Sequence, residues 1–171
     1  MMRKKKKTSE SKTVLTEIVL PNDTNTLGNL MGGRLLHWMD VAAAISARRH
    51  CKRVVVTASV NNVSFNRPIR LGSVLTLEAH VSRAFHSSME IFIDVWVEDV
   101  KTGKKTKSNE AIYTFVAVDQ IGRAISVPEI IPETEQEKKR YDGAMRRREL
   151  SLILAGKMKP GDAEALKALF D

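Results

Sequence analysis

An aspartate inside an apolar segment is the first residue that points to chemistry. On a helical wheel, the neighbours of Asp40 are Leu36, Ala43, Ala44 and Ala47. A carboxylate among apolar side chains costs folding free energy unless it is paired or used. Desolvation should leave a poorly hydrated, basic carboxylate, as a catalytic base requires. The alternative is an aspartate at the solvent edge of the helix, or one bonded to nearby backbone.

Two glycines upstream of Asp40 supply a second chemical element. Gly32 and Gly33 have no side chains, so a substrate can approach their backbone closely. At the start of a helix, their free N–H groups and the positive end of the helix dipole favour an oxygen that gains negative charge. This arrangement predicts an oxyanion hole, and a tight loop-to-helix entry is the competing explanation for the same residues.

The loop before the glycines contains an asparagine, Asn25. Its amide can both donate and accept, so it can hold a water or a carbonyl in place. Asparagine is also common in turns, where it serves only the backbone. Further along, Arg67 and Arg70 bracket a Pro-Ile turn, where guanidinium groups meet either phosphates or solvent.

The histidines and the cysteine are weaker candidates. His37 and His50 flank the predicted helix but lack the serine or cysteine partner of a nucleophilic site, so we expect structural roles for both. Cys51 is the single cysteine, and we expect it to be a small buried hydrophobe. A lone cysteine excludes an intrachain disulfide, no Cys/His cluster has zinc-site spacing, and a reducing cytoplasm is the expected setting.

The elements that must position these residues follow from periodicity. Apolar residues recur at helical spacing and predict a helix from near Gly33 to about His50. Because apolar positions cover nearly its whole circumference, this helix belongs in the interior. A strand from Val14 to Leu20 precedes it. Four strand-like segments follow it: RVVVTASVNNVSF, SVLTLEAHVSRAF, SMEIFIDVWVEDV and KSNEAIYTFVAVD.

The third of these segments alternates with a period of two, which predicts a sheet with one core face. Glycines and a proline separate the segments and predict hairpins in an antiparallel sheet. The sequence therefore predicts an α+β fold in which one long apolar helix is wrapped by a curved antiparallel sheet.

Length and local signals predict the organisation of the chain. The 171 residues fit one compact domain with a tail. Thr134 and Glu137 form a capping box that starts a charged surface helix, and Pro160–Asp162 break it before a second short helix ending at Leu169 and Phe170. We expect a basic flexible arm at residues 1–13, a domain at 14–132 and a C-terminal helical extension at 133–171.

The charge is concentrated at one end. Residues 1–13 contain six basic residues and one acidic residue, a net of +5 out of +8 for the whole chain. This favours a solvated tail over a nucleic-acid-binding face, with RNA or partner binding by the arm as the alternative. No secretory signal and no apolar run of about 18 residues is present. We expect neither membrane nor nucleic-acid partners.

Five blocks of the chain, read together, resemble a known family. They are DTNTLGNLMGGRLLHWMD, ARRHCKRVVVTASVNNVSF, SSMEIFIDV, YTFVAVDQIGR and VPEIIPETEQEKKR. In this order they are similar to the acyl-CoA hydrolases of the hot-dog fold, close to the bacterial short- and medium-chain thioesterases and the animal cytosolic acyl-CoA hydrolase. The resemblance covers roughly residues 14 to 145. It implies hydrolysis of acyl-CoA thioesters to a free acid and CoA.

The resemblance also implies site residues and an assembly. Asn25 and Asp40 match the family's catalytic asparagine and aspartate, which act together from opposite subunits. Gly32 and Gly33 match the backbone that polarises the thioester carbonyl. The implied assembly is a dimer with joined sheets and composite sites, commonly three dimers in a hexamer. No metal or organic cofactor is implied, and CoA enters only as part of substrate and product.

Several questions stay open at this point. Asp40 can act as a general base on water or as a nucleophile that forms a mixed anhydride. We expect contacts with the substrate or CoA at five further residues: Thr57, Arg67, Arg70, Ser87 and Ser88. Many relatives have a glycine and a small polar residue before the serine pair, whereas this chain has Phe85 and His86, so substrate preference is undetermined.

Two other functions compete with hydrolysis. A hot-dog enoyl-CoA hydratase or dehydratase would pair Asp40 with a histidine, either His37 or His50. A non-catalytic module that senses acyl-CoA or binds nucleic acid would use the basic arm, although thirteen residues cannot form a helix-turn-helix.

Overall fold

The computed structural model describes residues 3–65 and 67–171. Its strands are β1 (Lys5–Lys7), β2 (Thr13–Ile18), β3 (Val54–Asn61), β4 (Val74–Ala84), β5 (Ser88–Glu98), β6 (Lys105–Val118) and β7 (Glu129–Ile131). Its helices are α1 (Gly32–Cys51), α2 (Glu135–Leu154) and α3 (Glu164–Lys167). The chain divides into two compact units, a larger one ending at Ile131 and a smaller one spanning Pro132–Asp171.

The larger unit is built on a five-stranded sheet in the order β2-β4-β5-β6-β3. Every neighbouring pair in this sheet is antiparallel, as the glycine-containing turns predicted. Strands β2 and β3 form its two edges within one chain. A β-bulge between Thr57 and Ser59 interrupts the pairing of β3 with β6, and bulges bend and twist a strand.

Helix α1 packs across one face of this sheet and forms the core with it. Its fully buried residues include Met39, Ala42, Ala43 and Ala47. The facing strands bury larger side chains, among them Leu75, Leu77, Met89, Ile91, Tyr113 and Phe115. Small residues on the helix let it approach the sheet closely. The predicted central helix wrapped by an antiparallel sheet is confirmed, with boundaries within one residue of those expected.

Strand β5 differs from its prediction, because both of its faces are buried rather than one. Its first eight residues, Ser88 to Val95, are all buried. Phe92 stacks on His80 with ring centroids 6.3 Å apart. Asp94 pairs with Lys107 at 2.8 Å. The period-two pattern located the core face correctly but could not show that long side chains on adjacent strands cover the other face.

The basic N-terminal segment is ordered, which corrects the expectation of a flexible arm. Strand β1 pairs in parallel with β7, opposite Glu129–Ile131. The guanidinium of Arg3 donates to the carbonyls of Val127 and Phe85. Lys6 Nζ donates to the carbonyl of His50 at 2.8 Å, at the end of α1 where a cation is favoured by the helix dipole. Backbone pairing thus holds a segment whose composition alone indicated solvation.

The smaller unit contains α2 and α3. Thr134 Oγ1 accepts from the Glu137 N–H at 3.1 Å, and the Glu137 carboxylate accepts from the Thr134 N–H. The predicted capping box is therefore confirmed. The carboxylate of Glu149 accepts from the N–H groups of Ala165 and Leu166, at 3.1 and 2.7 Å, and so holds the start of α3 against α2. Within the described residues, no helix is both long enough and apolar enough to cross a membrane.

Candidate active site

The loop that carries Asn25 is fixed by its own backbone. The Asn25 N–H donates to the Asn29 carbonyl at 2.8 Å. Asn25 Oδ1 accepts from the N–H groups of Leu27 and Asn29, at 2.9 and 3.2 Å. Gly28 takes a φ of +74° at the tip of the loop, which glycine adopts without strain. Because Oδ1 serves the backbone, the Nδ2 amino group is the part of Asn25 left to act on a ligand.

A buried aspartate that sequence reasoning did not single out joins this loop to α1. Asp23 Oδ1 pairs with Arg34 Nε at 2.8 Å, in the first turn of α1. Its other oxygen accepts from the Leu20 N–H at 2.9 Å, and its carbonyl accepts from the Met31 N–H at 2.9 Å. These bonds set the position of the Asn25 loop relative to the glycine pair. The signal available in the sequence was an acidic residue eleven positions before an arginine, which is not specific.

The glycine pair forms the first turn of α1. The N-cap residue, Met31, offers no side-chain cap, so the N–H groups of Gly32 and Gly33 have no side-chain acceptor there. A Cβ at Gly32 would lie 3.3 Å from the ring of Phe65, whereas a Cβ at Gly33 would meet no atom within 4 Å among the described residues. A side chain at Gly32 would therefore require the Phe65 ring to shift slightly, whereas Gly33 faces open space.

A small pocket lies beside these residues. Its volume is about 350 Å³, and its lining includes Asn25, Gly32, Phe65 and Arg67. Asn109 from β6 also lines it and donates through Nδ2 to the carbonyl of Ser64, which ties the loop after β3 to the sheet. The structure thus brings together three of the predicted residues: the loop asparagine, one glycine and one arginine.

Asp40 lies further along α1 and is half-buried. Its Oδ1 accepts from Thr57 Oγ1 at 2.8 Å. The structure shows the hydroxyl of Thr57, which was predicted to contact the substrate or CoA, bonded to Asp40. The two residues meet where α1 crosses β3, the edge strand of the sheet. The carboxylate is therefore oriented by a hydroxyl group beside an unpaired strand edge.

Tyr113 adds a further group near Asp40 that sequence reasoning missed. Its phenol donates to the Leu36 carbonyl at 2.9 Å, one helical turn before Asp40. Burial, together with the negative charge of Asp40, raises the pKa of Tyr113 to about 12. Tyr113 therefore stays a neutral donor at physiological pH and holds the helix backbone next to the carboxylate. Only its aromatic character in a strand segment was visible in the sequence.

Asp40 and the glycine pair lie on the same side of α1 but at different positions along its axis. Gly33 and Asp40 are seven residues apart, close to two helical turns, so they lie on the same stripe at a separation of roughly 10 Å along the axis. One carbonyl group cannot contact both within a single chain. The structure therefore presents the predicted catalytic residues as two separate groups.

The remaining predicted contacts lie in three places. Arg67 lines the pocket beside Asn25, and Arg70 lines a neighbouring pocket of about 400 Å³ with Leu27 and Gly28. Ser87 lies in the turn between β4 and β5, where its carbonyl accepts from the Ala117 N–H at 3.0 Å.

Ser88 lies on the sheet face opposite to that of Thr57. In the register, Ser88 faces Val116 of β6, and Thr57 faces Phe115, the adjacent residue of the same strand. Successive residues of a strand point to opposite faces. Ser88 is also buried. Within one chain, Ser88 is therefore not brought to the face that carries Asp40.

The histidines do not form a pair with Asp40 in the described part of the chain. His50 is buried, and its Nε2 shares a hydrogen bond with the Pro128 carbonyl at 2.8 Å. Burial lowers the pKa of His50 and raises the pKa of the Cys51 thiol. His37 lies exposed on α1. Neither Cys51 nor His50 has the surroundings of a nucleophile or base, and residues 3–65 and 67–171 contain no cluster of metal-ligand side chains.

Comparisons with known proteins show the family to which this chain belongs. The family model of the thioesterase superfamily matches residues 27–104. An uncharacterized acyl-CoA thioester hydrolase of Bacillus subtilis is 42% identical over 138 residues, which cover 81% of this chain and 80% of the relative. The chain belongs to the thioesterase superfamily. It also matches 36% of the length of the human cytosolic acyl coenzyme A thioester hydrolase, with 38% identity over 136 residues.

Solved structures of thioesterases share the fold. A hexameric acyl-CoA thioesterase in its apo form has a TM-score of 0.86 and 38% identity, covering 89% of this chain and 97% of its own. The acyl-CoA hydrolase of Staphylococcus aureus, in complex with butyryl coenzyme A and coenzyme A, has a TM-score of 0.84 and 38% identity, covering 90% and 95%. This thioesterase superfamily member therefore has the hot-dog fold.

Three further structures of the S. aureus enzyme carry single alanine replacements. The replaced residues are an asparagine, an aspartate 15 positions later, and a threonine 17 positions after the aspartate. The asparagine variant was solved with coenzyme A.

Proposed function

We propose that this protein hydrolyses acyl-CoA thioesters to a free carboxylic acid and CoA. The observation that carries the proposal is the half-buried carboxylate of Asp40, which accepts a hydrogen bond from Thr57 through one oxygen. Its other oxygen has no hydrogen-bond partner among the described residues. Such a carboxylate can activate a water or attack a carbonyl. Membership of the thioesterase superfamily supports a thioester as the reacting group.

Two routes from Asp40 lead to the same products. As a general base, Asp40 takes a proton from water while the water oxygen attacks the thioester carbon, and the C–S bond breaks to release CoA as a thiol. As a nucleophile, Asp40 attacks that carbon itself and releases CoA. The resulting mixed anhydride is then hydrolysed by water. Both routes need hydrogen-bond donors at the carbonyl oxygen.

Asn25 and Gly33 are the proposed donors. Because Asn25 Oδ1 is held by two backbone N–H groups, its amino group is directed to the substrate. The N–H of Gly33, with that of Gly32 beside it, lies at the positive end of the α1 dipole. An oxygen that becomes negative in the transition state would accept from these groups, whereas water or a neutral carbonyl would gain less.

The spacing of the three side chains supports their assignment. Asn25 and Asp40 are 15 positions apart, and Asp40 and Thr57 are 17 positions apart. The asparagine, aspartate and threonine replaced in the S. aureus enzyme have the same separations. We infer that Asn25, Asp40 and Thr57 are the corresponding residues of this chain.

We further propose that each active site is shared between two subunits. The donors and the carboxylate are about two helical turns apart on one stripe of α1, so a second copy must supply the missing half. The edge strand β3 is available for this contact, because Val54, Val56 and Val60 are 60%, 47% and 42% exposed, and an unpaired edge pairs readily with another strand. A trimer of such dimers is supported by the hexameric relative.

The remaining assignments concern CoA and location. We propose that Arg67 and Arg70 approach phosphates of CoA, because neither guanidinium has an ion pair in the described part of the chain. Charge reversal at Arg67 and Arg70 should raise KM more than it lowers kcat. Ser87 and Ser88 remain proposed contacts of bound CoA in the assembly. A cytoplasmic location is supported by the cytosolic human relative.

A substrate panel tests the proposal. Purified protein is incubated with saturated acyl-CoA thioesters of increasing chain length and with enoyl-CoA thioesters. Free thiol is followed with a chromogenic disulfide, and the enoyl group is followed by its absorbance. Thiol release supports hydrolysis, and loss of enoyl absorbance without thiol release would show a hydratase instead. Because Asp40 has no histidine partner among the described residues, we expect thiol release.

A further inference from the structure

Hydrogen bonds to successive carbonyls hold the turn between β4 and β5. The His86 carbonyl accepts from the Val127 N–H at 2.9 Å, and the Ser87 carbonyl accepts from the Ala117 N–H at 3.0 Å. Both donors are backbone groups from the end of β6 and the segment that leads into β7. The position of this turn therefore depends on segments that are distant from it in the chain.

Arg3 supplies a further bond to the same turn, from the N-terminal segment. Its guanidinium donates to the Phe85 carbonyl, and its Nε donates to the Val127 carbonyl at 2.7 Å. A planar guanidinium that bridges two backbone segments fixes their relative position. Because Ser87 and Ser88 of this turn are proposed contacts of CoA, Arg3 lies where it can set the position of part of the substrate site.

The segment that carries Arg3 is attached by a short backbone pairing. Strand β1 lies parallel to β7, with Lys5 opposite Glu129, and the Glu129 N–H donates to the Lys4 carbonyl at 2.8 Å. Each of the two strands has three residues, fewer than the usual strand length of about five or six. A short pairing at the end of a chain opens locally at low free-energy cost. Other contacts must therefore decide whether the segment stays attached.

His50 supplies such contacts, because it joins α1 both to β1 and to the backbone before β7. Its carbonyl accepts from Lys6 Nζ at 2.8 Å. Its side chain is fully buried, and its Nε2 lies 2.8 Å from the Pro128 carbonyl. A carbonyl oxygen can only accept, so Nε2 carries the proton of the neutral ring. Neutral His50 thus holds the two segments that pair as β1 and β7.

The other ring nitrogen makes a protonated His50 unfavourable in this position. Within residues 3–65 and 67–171, Nδ1 has no hydrogen-bond partner. The buried hydroxyl groups of Ser46, one helical turn earlier, and of Thr8, directly after β1, also have none among these residues. A proton on Nδ1 would therefore place a charged donor in the interior without an acceptor, which is costly.

The surrounding charges add to this effect. Burial is the largest cause that lowers the pKa of His50 below its ordinary value of 6.5. Lys6 and Arg3 lower the pKa further, whereas Glu10 and the hydrogen bond to Pro128 raise it. Detachment of the N-terminal segment would remove both cations and return the pKa towards 6.5. The attached state is therefore fully stabilised above about pH 6.5 and is weakened as the pH falls below this value.

We propose that residues 3–7 form a strap that positions the β4–β5 turn for CoA, and that protonation of His50 releases this strap. Arg3 is a positioning residue, because it acts through the backbone of the turn. With the strap attached, the turn is held in place for the substrate. Acid detaches the strap, loosens the turn and raises KM. The proposal rests on the proposed thioesterase function and adds regulation to that site.

Kinetics of Arg3→Gln test the positioning role. We expect KM for acyl-CoA to rise about threefold to tenfold, because apparent affinity falls with the fraction of molecules whose turn is in place. The value of kcat should stay within about twofold. The same acyl group on N-acetylcysteamine, which lacks most of CoA, should keep its kinetic constants. Lys4→Gln is the matched control, because Lys4 is exposed and its side chain has no hydrogen bond or ion pair among the described residues.

The pH dependence of KM tests the role of His50. For wild type, KM for acyl-CoA should rise as the pH is lowered from about 7.5 to about 5.5. His50→Gln keeps an amide donor for the Pro128 carbonyl but cannot take up a proton, so its KM should stay level over this range. Arg3→Gln should show the raised KM throughout. A pH dependence of His50→Gln equal to that of wild type would overturn release by His50.

Hydrogen exchange follows the strap without any substrate. After correction for intrinsic rates, amides of residues 85–88 and 127–131 should exchange faster at about pH 5.5 than at about pH 7.5 in wild type. They should also exchange faster in Arg3→Gln than in Lys4→Gln. Equal protection in these comparisons would overturn the strap, and faster exchange with an unchanged KM would overturn its role in binding CoA. If wild type releases no thiol from any acyl-CoA, the proposed function fails, whereas the exchange rates still test the strap.

Discussion

Two regions of α1 present different chemical groups: the first turn, at Gly33, and the region around Asp40, about two turns later. The end at Gly33 offers donors: the Asn25 amino group and two backbone N–H groups, with a loop held by Asp23 and Arg34. The region around Asp40 offers an acceptor: a carboxylate that receives one hydrogen bond from Thr57. The first stabilises negative charge on oxygen, and the second supplies an electron pair. One chain carries both but keeps them roughly 10 Å apart along the helix.

We infer from this difference that the two groups are complementary halves of a shared site rather than one assembled site. A reaction that needs both would require two copies arranged so that the donors of one approach the carboxylate of the other. The donor half is held in place without a partner, since its bonds are internal to the loop and the first turn of α1. The acceptor half lies at an unpaired strand edge, where a partner strand can bind.

The largest effect is expected at the acceptor half. Asp40→Asn should lower kcat by about 10²–10⁴, the scale for losing a positioned acid or base. The amide oxygen can still accept from Thr57, so the melting temperature should change little. Thiol release and thermal unfolding measure the two quantities. Near-normal turnover would remove Asp40 from the mechanism.

The second-largest effect is expected at Asn25, where one substitution can separate the loop-holding role of the side-chain oxygen from the donor role of the amino group. Asn25→Asp keeps an oxygen for the loop N–H groups, as aspartate forms the same turns, but replaces the amino donor with an acceptor. We expect kcat to fall by about 10²–10³, as for loss of an oxyanion donor, with stability retained. Asn25→Ala should lower both turnover and the melting temperature. If Asn25→Asp is fully active, the donor role is wrong.

Mixing variants tests whether the halves combine across subunits. Asp40→Asn and Asn25→Ala should each be nearly inactive as homodimers, but a hybrid dimer would contain one intact site if sites are shared. Equal mixing after denaturation and refolding should recover about a quarter of wild-type activity, because half of randomly formed dimers are hybrids with one good site of two. Refolding each variant alone is the control. Absence of recovery in verified hybrids would argue for sites within single chains.

A smaller effect is expected at Gly33. A methyl group there meets no protein atom within 4 Å, and glycine-to-alanine changes at compatible helical positions stabilise by about 0.4–1 kcal/mol. The melting temperature of Gly33→Ala should therefore hold or rise. Activity should fall about tenfold or more, because the methyl group occupies the space through which the substrate approaches. A stable variant with unchanged kcat/KM would show that the substrate does not approach here.

The smallest effect is expected at Thr57. Thr57→Val preserves shape but removes the hydroxyl that orients Asp40, so kcat should fall about threefold to tenfold, in line with the loss of about 1 kcal/mol from one hydrogen bond. If Thr57 acts only by orienting Asp40, KM for acyl-CoA should stay nearly constant. A rise in KM without a change in kcat would instead support the direct substrate contact that the sequence suggested.

Local signals in the sequence determined the elements of this protein. The apolar periodicity of α1, the period-two pattern of the strands and the Thr134–Glu137 capping box depend on residues close together in the chain. Their physical preferences act locally. The apolar surroundings of Asp40 and the Gly32–Gly33 pair could be recognised for the same reason. The resemblance of five blocks to thioesterases then gave the family.

Tertiary structure alone decided which groups meet. Thr57 reaches Asp40, Tyr113 reaches the Leu36 carbonyl, and β1 pairs with β7 across more than a hundred residues. Such contacts depend on strand register and on the crossing of a helix over a sheet, which a one-residue shift would change completely. The sequence by itself determined the chemical groups, and the packing of distant segments decided their partners.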